Sequence, residues 1–185
     1  MLPDNVTLLS AWDAGRLGDL VTGVLERLVG EPFMEFGRAA DMMWLGFGEE
    51  VPAPTRRDSA RRCAKHRLHA SCPLRLDLPT AVLVASSDIY VPAEPRESLE
   101  SFEWDDPGAN LFDVSVSAYW RENPPGSVVV EAVSADAVGG IQLGLSTGQS
   151  LTLFPSRSGL TEHWRYFGVN DEEHFVILPE VPQWG

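Results

Sequence analysis

The chain has 185 residues, of which 44% are hydrophobic and 22% charged, and its formal net charge at pH 7 is −13. This length and composition predict a single globular domain, residues 1–185, that buries its own core. No apolar run of about 18 residues is present, which argues against a membrane-spanning helix. The acidic balance also argues against nucleic acid as a partner, because phosphate would be repelled.

Two bulk features bear on location. Residues 1–5 lack a basic region followed by an apolar stretch, so no secretory signal is expected. Two cysteines in the whole chain are too few for a disulfide framework. They predict reduced thiols and a cytoplasmic protein.

The first predicted element is a helix over residues 10–30. Its apolar residues recur at three- and four-residue spacings and form one stripe, namely Leu17, Leu20, Val21, Val24, Leu25 and Leu28. Ser10 is a suitable N-cap, and Gly30 is a suitable stop before Pro32. The pattern predicts a helix laid across a sheet.

Two short strands follow, near Phe33–Arg38 and Met42–Phe47. The methionines beside Trp44 could line a ligand pocket, but such clusters more often form core. Residues 49–64 then predict a basic, linker-like loop, with arginines at 56, 57, 61 and 62. It could bind phosphate or an acidic surface, but a solvated face is favoured because no aromatic residue alternates with the arginines.

Residues 65–92 predict a central hairpin. Its first strand alternates apolar residues from Leu68 to Leu76 with polar ones, the pattern of a half-buried strand. After a connection at 77–80, a β-rich run from Ala81 to Val91 forms the second strand, closed by Pro92.

Four potential zinc ligands occur at three-residue intervals in this region: Cys63, His66, His69 and Cys72. On a strand, steps of three alternate between faces, so these side chains cannot converge on one ion. No metal site is predicted. Cys72 is expected to be a small buried residue, with His69 and Arg75 on the polar face.

Residues 94–110 predict a long acidic loop. Carboxylates around exposed aromatic rings are typical of a surface that binds a basic protein. The predicted partner-binding residues are Glu97, Glu100, Phe102, Glu103, Trp104, Asp105 and Asp106. Equally, the two rings could pack the loop onto the core. The order of acids does not match a calcium-binding loop.

The last third predicts mostly strands. Residues 111–121 fit a helix or a strand equally well, and this stays open. Residues 127–180 predict an antiparallel meander with turns at Gly139–Gly140 and 146–149. The predicted fold class is α+β, a twisted and mostly antiparallel sheet of hairpins and a C-terminal meander, packed on one N-terminal helix.

No motif for nucleotide binding, phosphate binding or nucleophilic catalysis is present. No catalytic residue and no cofactor is therefore assigned. A scattered set of polar residues could line a sheet pocket with His174 nearby: His69, Arg75, Asp88, Glu162, Trp164 and Arg165. Ion pairs that pin a sheet produce the same set and are favoured. In a regular strand Arg165 would point away from Glu162.

Four segments together carry a resemblance: LHASCPLRL, SSDIYVP, GGIQLGLSTGQSLTLFP and EHWRYF. In this order they resemble an uncharacterised family of small acidic bacterial proteins, mainly actinobacterial, from about Arg38 onward. Where those proteins often have an aromatic residue after Cys72-Pro73, this chain has Leu74. The resemblance implies no established activity. As a small acidic α+β protein, the chain is also similar to the immunity proteins that bind bacterial toxins.

Three functional hypotheses follow. The leading one is a non-enzymatic acidic protein that sequesters a basic protein partner, as immunity proteins do. The alternative is a small-molecule binder or enzyme with a sheet-lined pocket around His69, Arg75 and Arg165. The third is a structural or assembly protein that self-associates through a sheet edge or a Trp-rich surface. A monomer or a homodimer is expected.

Overall fold

The computed structural model describes residues 6–9, 16–53, 61–94, 101–159 and 161–178. In this part of the chain there are two α-helices, α1 (Leu17–Leu25) and α2 (Leu111–Glu122), and eleven strands. The strands are β1 (Val6–Leu9), β2 (Phe33–Ala39), β3 (Met42–Pro52), β4 (Arg62–Ala70), β5 (Leu74–Leu78), β6 (Ala81–Ala85), β7 (Val130–Ala135), β8 (Ile141–Leu145), β9 (Ser150–Leu153), β10 (Trp164–Gly168) and β11 (His174–Ile177).

The strands form two sheets. The six-stranded sheet has the order β1-β11-β10-β4-β3-β2, and the five-stranded sheet has the order β6-β5-β9-β8-β7. All neighbours pair antiparallel except β1 and β11, which are parallel. The predicted α+β class and its mostly antiparallel pairing are therefore confirmed. The division into two sheets was not predicted.

The hydrophobic core includes the buried side chains of both sheets. Met43, Leu45 and Leu68 contribute from the six-stranded sheet, and Leu76 and Leu143 from the five-stranded one. Burying one such side chain contributes about 1.5–3 kcal/mol to stability. Of the described helices, none is long and apolar enough to cross a bilayer.

The N-terminal helix is shorter than predicted where the structure describes it. Helix α1 buries Leu17, Val21 and Leu25, packs against β7, and is followed by a 3₁₀ turn at Glu26–Leu28. Leu20, predicted on the apolar stripe, is 44% exposed. The predicted start, Ser10, lies outside the described residues. Gly30 ends the helical segment at a positive φ of 87°, a conformation that glycine adopts without strain.

The predicted first strand of the central hairpin is wrong as a single strand. It is broken at residues 71–73, where the chain leaves the six-stranded sheet as β4 and enters the five-stranded sheet as β5. Pro73 has no N–H group to donate to a neighbouring strand. The Ser71 N–H donates to the His163 carbonyl at 2.8 Å. Only β5 and β6 form the hairpin.

The predicted second strand, Ala81–Val91, is also too long. Strand β6 ends at Ala85, and Ser86–Tyr90 form a 3₁₀ helix. The cause is local. The Ser86 hydroxyl accepts a bond from the Leu74 N–H at 3.0 Å, and the Asp88 carboxylate accepts one from the Ala85 N–H at 3.3 Å. Such side-chain bonds to the backbone compete with strand pairing.

The basic loop predicted at 49–64 is shorter than expected. Strand β3 continues to Pro52 and β4 begins at Arg62, while residues 54–60, including Arg56 and Arg57, lie outside the described part. Arg61 is exposed, and Arg62 forms an exposed ion pair with Glu50 at 3.6 Å. The structure therefore places these two arginines in solvent.

Residues 111–121, left open by the sequence, belong to helix α2. Asn110 caps it, because its side-chain oxygen accepts the Asp113 N–H at 2.9 Å. The helix buries Phe112, Val116 and Tyr119. This 3.6-residue periodicity outweighs the alternation that also suggested a strand.

The meander predicted over 127–180 is confirmed only for β7, β8 and β9, which pair in sequence order. After Leu153 the chain leaves this sheet, and β10 and β11 pair in the six-stranded sheet. The C-terminal strands therefore belong to the six-stranded sheet and not to the meander.

Candidate functional site

The described part of the acidic loop is held in place by one arginine. Arg38 lies in β2, and only 7% of its side chain is exposed. Its Nε and Nη2 donate to the two oxygens of Asp113 at 2.8 and 2.9 Å, and its Nη1 donates to Asp105 Oδ1 at 2.9 Å. The two bonds to Asp113 form the bidentate geometry in which guanidinium and carboxylate interact most strongly.

The electrostatics of this pair support the same conclusion. Hydrogen bonding by Asp113, ahead of all other influences, raises the pKa of Arg38. For Asp113, burial alone would raise the pKa, but the Arg38 guanidinium and the Gly108 N–H more than offset it and hold that pKa below its usual value. Both groups are therefore charged at neutral pH.

Further bonds fix the loop backbone. The fully buried Asn110 donates through its amide to the Trp104 carbonyl at 2.8 Å. The Gly108 N–H donates to Asp113 Oδ2 at 2.8 Å. Gly108 has a φ of 78°, a left-handed conformation that favours glycine. The loop therefore has a defined conformation over residues 101–110.

In the structure the described partner-binding residues fall into two groups, half-buried aromatic rings and exposed carboxylates. Trp104 is half-buried, packs against the core and lies 5.4 Å from the Tyr90 ring, and Phe102 is also half-buried. Three carboxylates are exposed, those of Glu103, Asp105 and Asp106. We call these three residues the acidic patch. Glu97 and Glu100 lie outside the described residues.

The predicted six-residue pocket is dispersed. Trp164 is fully buried in the core, where its Nε1 donates to the Gly139 carbonyl at 2.7 Å. Arg75 lies in the five-stranded sheet, where its Nε contacts Asp77 at 2.7 Å. Asp88 belongs to the 3₁₀ helix after β6. None of these three lies on the outer sheet face where the other members meet.

His69, Glu162 and Arg165 do come together. They lie on the face of the six-stranded sheet that is turned away from the core. Arg165 donates from Nε and Nη2 to the two oxygens of Glu162 at 2.6 and 2.5 Å. The expectation that Arg165 points away from Glu162 was wrong, because Glu162 precedes β10 and is not bound by strand alternation. His174 Nδ1 lies 3.5 Å from Arg165 Nη1.

Two further contacts close this outer face. Phe167 stacks on His174 with 4.5 Å between ring centroids and meets the edge of His69 at 5.1 Å. Burial, followed by the charges of Arg67 and Arg165, lowers the pKa of His69 to about 4. At neutral pH this face therefore presents neutral imidazoles and an arginine already bound to a carboxylate. Its geometry fits sheet stabilisation rather than catalysis.

The predicted separation of the four zinc-type ligands agrees with the positions of the histidines. His66 faces the core, where its Nδ1 lies 2.8 Å from the Tyr166 hydroxyl, whereas His69 meets Phe167 on the opposite face. Cys72 is buried, as predicted, and burial raises the pKa of its thiol to about 12. Both cysteines are free thiols. A thiol with this pKa is a poor nucleophile at neutral pH.

A cleft that the sequence did not reveal opens where β4 crosses to β5. It has a volume of about 580 Å³, and its lining includes Arg75, Tyr90, Phe154 and Arg157. Phe154, just before Pro155, lies within the meander predicted over 127–180, and the sequence alone does not distinguish it from any other strand residue. In the structure Phe154 lies just beyond β9 and is 61% exposed.

Comparisons with known proteins found no counterpart. No family model matches the chain, and neither a curated protein nor a solved structure matches it. The resemblance to a bacterial family stays a prediction. The function must therefore be argued from the chemistry of the sites themselves.

Proposed function

We propose that this protein is a non-enzymatic, cytoplasmic binding protein that sequesters a basic protein partner, such as a toxin domain, through the acidic patch. One observation supports the proposal above the rest. The nearly buried Arg38 binds Asp105 and Asp113 and accounts for the loop's shape, while the Asp105 side chain stays 63% exposed. The patch is therefore ordered before any partner arrives.

Order in the free protein matters for affinity. A loop that must become ordered on binding loses conformational entropy, which weakens the complex. Here the Asn110 amide and the Gly108 N–H already fix the backbone around Glu103 and Asp106. Binding at this loop would then cost less than binding at a flexible acidic segment.

The charge balance favours a cationic partner. In the part of the loop that the structure describes, the bound cation is Arg38, and it is almost fully shielded from solvent. The three carboxylates of the acidic patch belong to a chain whose net charge is −13. Such a field speeds the approach of a basic protein and weakens as salt screens it.

The structure also changes the role proposed for Trp104. The sequence suggested Trp104 as an anchor that inserts into the partner. Its ring instead packs against Tyr90 and the core. We propose that Trp104 stiffens the loop and that the carboxylates supply the recognition.

Charge reversal tests this proposal. The double substitution Glu103→Lys with Asp106→Lys changes the acidic patch by four charges. It leaves Arg38 and the carboxylates of Asp105 and Asp113 in place, since Asp106 contacts Arg38 only through its backbone carbonyl. A matched control reverses two exposed acids elsewhere, Glu122→Lys with Glu131→Lys. Both proteins have the same net charge, so any difference between them reports position rather than total charge.

Each tagged protein is immobilised and exposed at low salt to extract of its own host, and bound protein is eluted with a salt gradient. We expect a basic protein to elute from the wild type and the Glu122/Glu131 control but not from the Glu103/Asp106 variant. Native mass spectrometry of the eluate identifies it and gives the stoichiometry. Equal retention by both variants, or a complex that high salt does not dissociate, would contradict the proposal.

A further inference from the structure

The cleft between β4 and β5 has the features of a ligand site. Its volume of about 580 Å³ falls within the range of small-molecule pockets, roughly 300–1,000 Å³. Four separate parts of the chain form it: the crossover at 71–75, the segment 85–90, the end of β9 with the residues after it, and the turn at Asp41. Because these four parts meet without any one of them filling the space between them, the site is concave.

The cleft is apolar at its base and aromatic at its sides. Leu74 and Ile89 line it and are almost fully buried. Tyr90 is 57% exposed and Phe154 is 61% exposed. Both rings line the same cleft and are much more exposed than aromatic side chains that only pack in a core. They offer flat surfaces to a ligand.

One of these two residues is held through its backbone and the other through its ring. The Phe154 N–H donates to the Pro73 carbonyl at 2.8 Å, and the Tyr90 ring packs on Trp104 at 5.4 Å. The cleft therefore exists in the free protein and does not need to be formed by the ligand, which favours affinity.

The polar groups of the cleft define the charge of its ligand. Among the described residues Arg157 forms no ion pair, although the arginines of the six-stranded sheet do. Arg75 uses Nε for Asp77, so this bond leaves the outer nitrogens of its guanidinium uncommitted. A planar guanidinium matches a carboxylate in shape and charge. The exposed acid Asp41 also lines the cleft, and it disfavours a ligand with several negative charges.

We propose that this cleft binds a small molecule with a flat apolar body and one carboxylate group. The body lies between Tyr90 and Phe154, and the carboxylate meets Arg157. The interaction is non-covalent, because the pKa of about 12 keeps the nearby Cys72 thiol protonated. This inference does not rest on the proposed protein partner. The residues of the acidic patch do not line the cleft, and their carboxylates favour a cationic partner, whereas the cleft favours a carboxylate.

A pair of matched probes tests the proposal. Naphthalene-1-carboxylate carries the flat body and the charge, and naphthalene-1-methanol carries the body alone. Each is titrated into the ¹⁵N-labelled protein while amide chemical shifts are followed by NMR. We expect the carboxylate to shift the amide signals of the non-proline residues at 71–75, 86–90 and 152–157. It should bind about tenfold more tightly than the alcohol, as a charge-assisted hydrogen bond provides.

Variants then separate the two parts of the site. Arg157→Ser should weaken carboxylate binding about tenfold and leave the alcohol unchanged. Phe154→Ser should weaken both probes. Ser87→Trp, at an exposed residue of the cleft lining, should block both by filling the space without touching the core. Arg121→Ser and Val138→Ser replace an exposed arginine and an exposed apolar residue outside the cleft and should bind as wild type does.

Three results would overturn the proposal. The first is the absence of shifts at the cleft up to the solubility limit of both probes. The second is an Arg157→Ser variant that binds the carboxylate with wild-type affinity. The third is binding that Ser87→Trp leaves intact. Thermal unfolding of each variant confirms that it is folded, and the three variants change different exposed residues, so a misfolded one still leaves two to decide.

Discussion

The two sheets use their arginines in different ways. In the six-stranded sheet Arg38, Arg67 and Arg165 have side chains that are 7%, 14% and 33% exposed, and each contacts a carboxylate within 3 Å. Arg62, at the first position of β4, is the exception, with a side chain that is 53% exposed and lies 3.6 Å from Glu50. Beside the five-stranded sheet, Arg75 is 59% exposed and Arg157 is exposed without an ion pair to another described residue. The guanidinium groups of the first set stabilise the fold, and those of the second set have donors available to bind a ligand.

This difference shows what can be learned from a charged residue. An arginine that is shielded and doubly bound lowers the energy of one conformation, and its loss leaves a carboxylate without its partner. An arginine in solvent contributes little to folding, so its presence at a cleft is informative about binding. The comparison can be tested by removing members of each set.

The largest effect is expected for Arg38→Ala. Removing this side chain leaves Asp113, 19% exposed, without its guanidinium, and we expect the free energy of unfolding to fall by about 3 kcal/mol. Urea denaturation at pH 7 measures the change. Arg157→Ala serves as control and should stay within about 0.5 kcal/mol of wild type. Similar losses in the two variants would remove the distinction between the sheets.

A smaller effect is expected from the histidine on the six-stranded sheet. Burial, with the charges of Arg67 and Arg165, lowers the pKa of His69 from 6.5 to about 4. Below about pH 6.5 His69 binds a proton in the unfolded chain, whereas in the folded protein it stays neutral down to about pH 4. The free energy of unfolding therefore falls as the pH falls through this range.

His69→Gln should remove part of that fall. Its unfolding free energy should drop less than that of wild type between pH 7 and 4, by about 1–2 kcal/mol once solvent screening is allowed for. Urea denaturation at pH 7, 5.5 and 4 measures this. Above pH 7 His69 is neutral in both the folded and the unfolded protein. The unfolding free energies of the two proteins should therefore change with pH in the same way there, and this range serves as the internal reference. Parallel profiles over the whole range would show that His69 is not held neutral.

The smallest effect is expected for Arg75→Ser. Its ion pair with Asp77 is short, at 2.7 Å; 59% of the Arg75 side chain is exposed, but only 17% of the Asp77 side chain is. Exposed pairs contribute about 0–1 kcal/mol, and the shielded Asp77 carboxylate places this pair at the upper end, so a loss of about 1 kcal/mol is expected, part of which should disappear in high salt. Urea denaturation with and without 0.5 M salt (roughly threefold above physiological ionic strength) measures it. A loss as large as that of Arg38→Ala would place Arg75 with the structural set.

Local patterns in the sequence predicted most of the strands. The alternation in β8 is found as expected, because a buried sheet face imposes a period of two. The strands near Phe33 and Met42 are also found, although their burial does not alternate regularly. The same alternation misled at Pro73, where it continues across a change of sheet. A pattern of buried residues does not show which sheet they face.

The candidate sites were harder to predict, and the reason is distance along the chain. Arg38 and Asp113 are 75 positions apart, and no spacing rule connects them. The sequence also gave equal weight to Trp104 as an anchor or as packing, because both roles require the same residue. Nothing in the sequence distinguishes Arg157, since an arginine without an ion pair to the described residues differs from a paired one only in three dimensions.

The contact between Tyr90 and Trp104 has a consequence for how the two proposed sites communicate. Tyr90 is a wall of the cleft and Trp104 belongs to the loop that carries the acidic patch. A ligand that shifts the Tyr90 ring must also change the packing of Trp104. Thermodynamic linkage then requires reciprocity: the factor by which a small molecule changes the affinity for a protein partner equals the factor by which that partner changes the affinity for the small molecule.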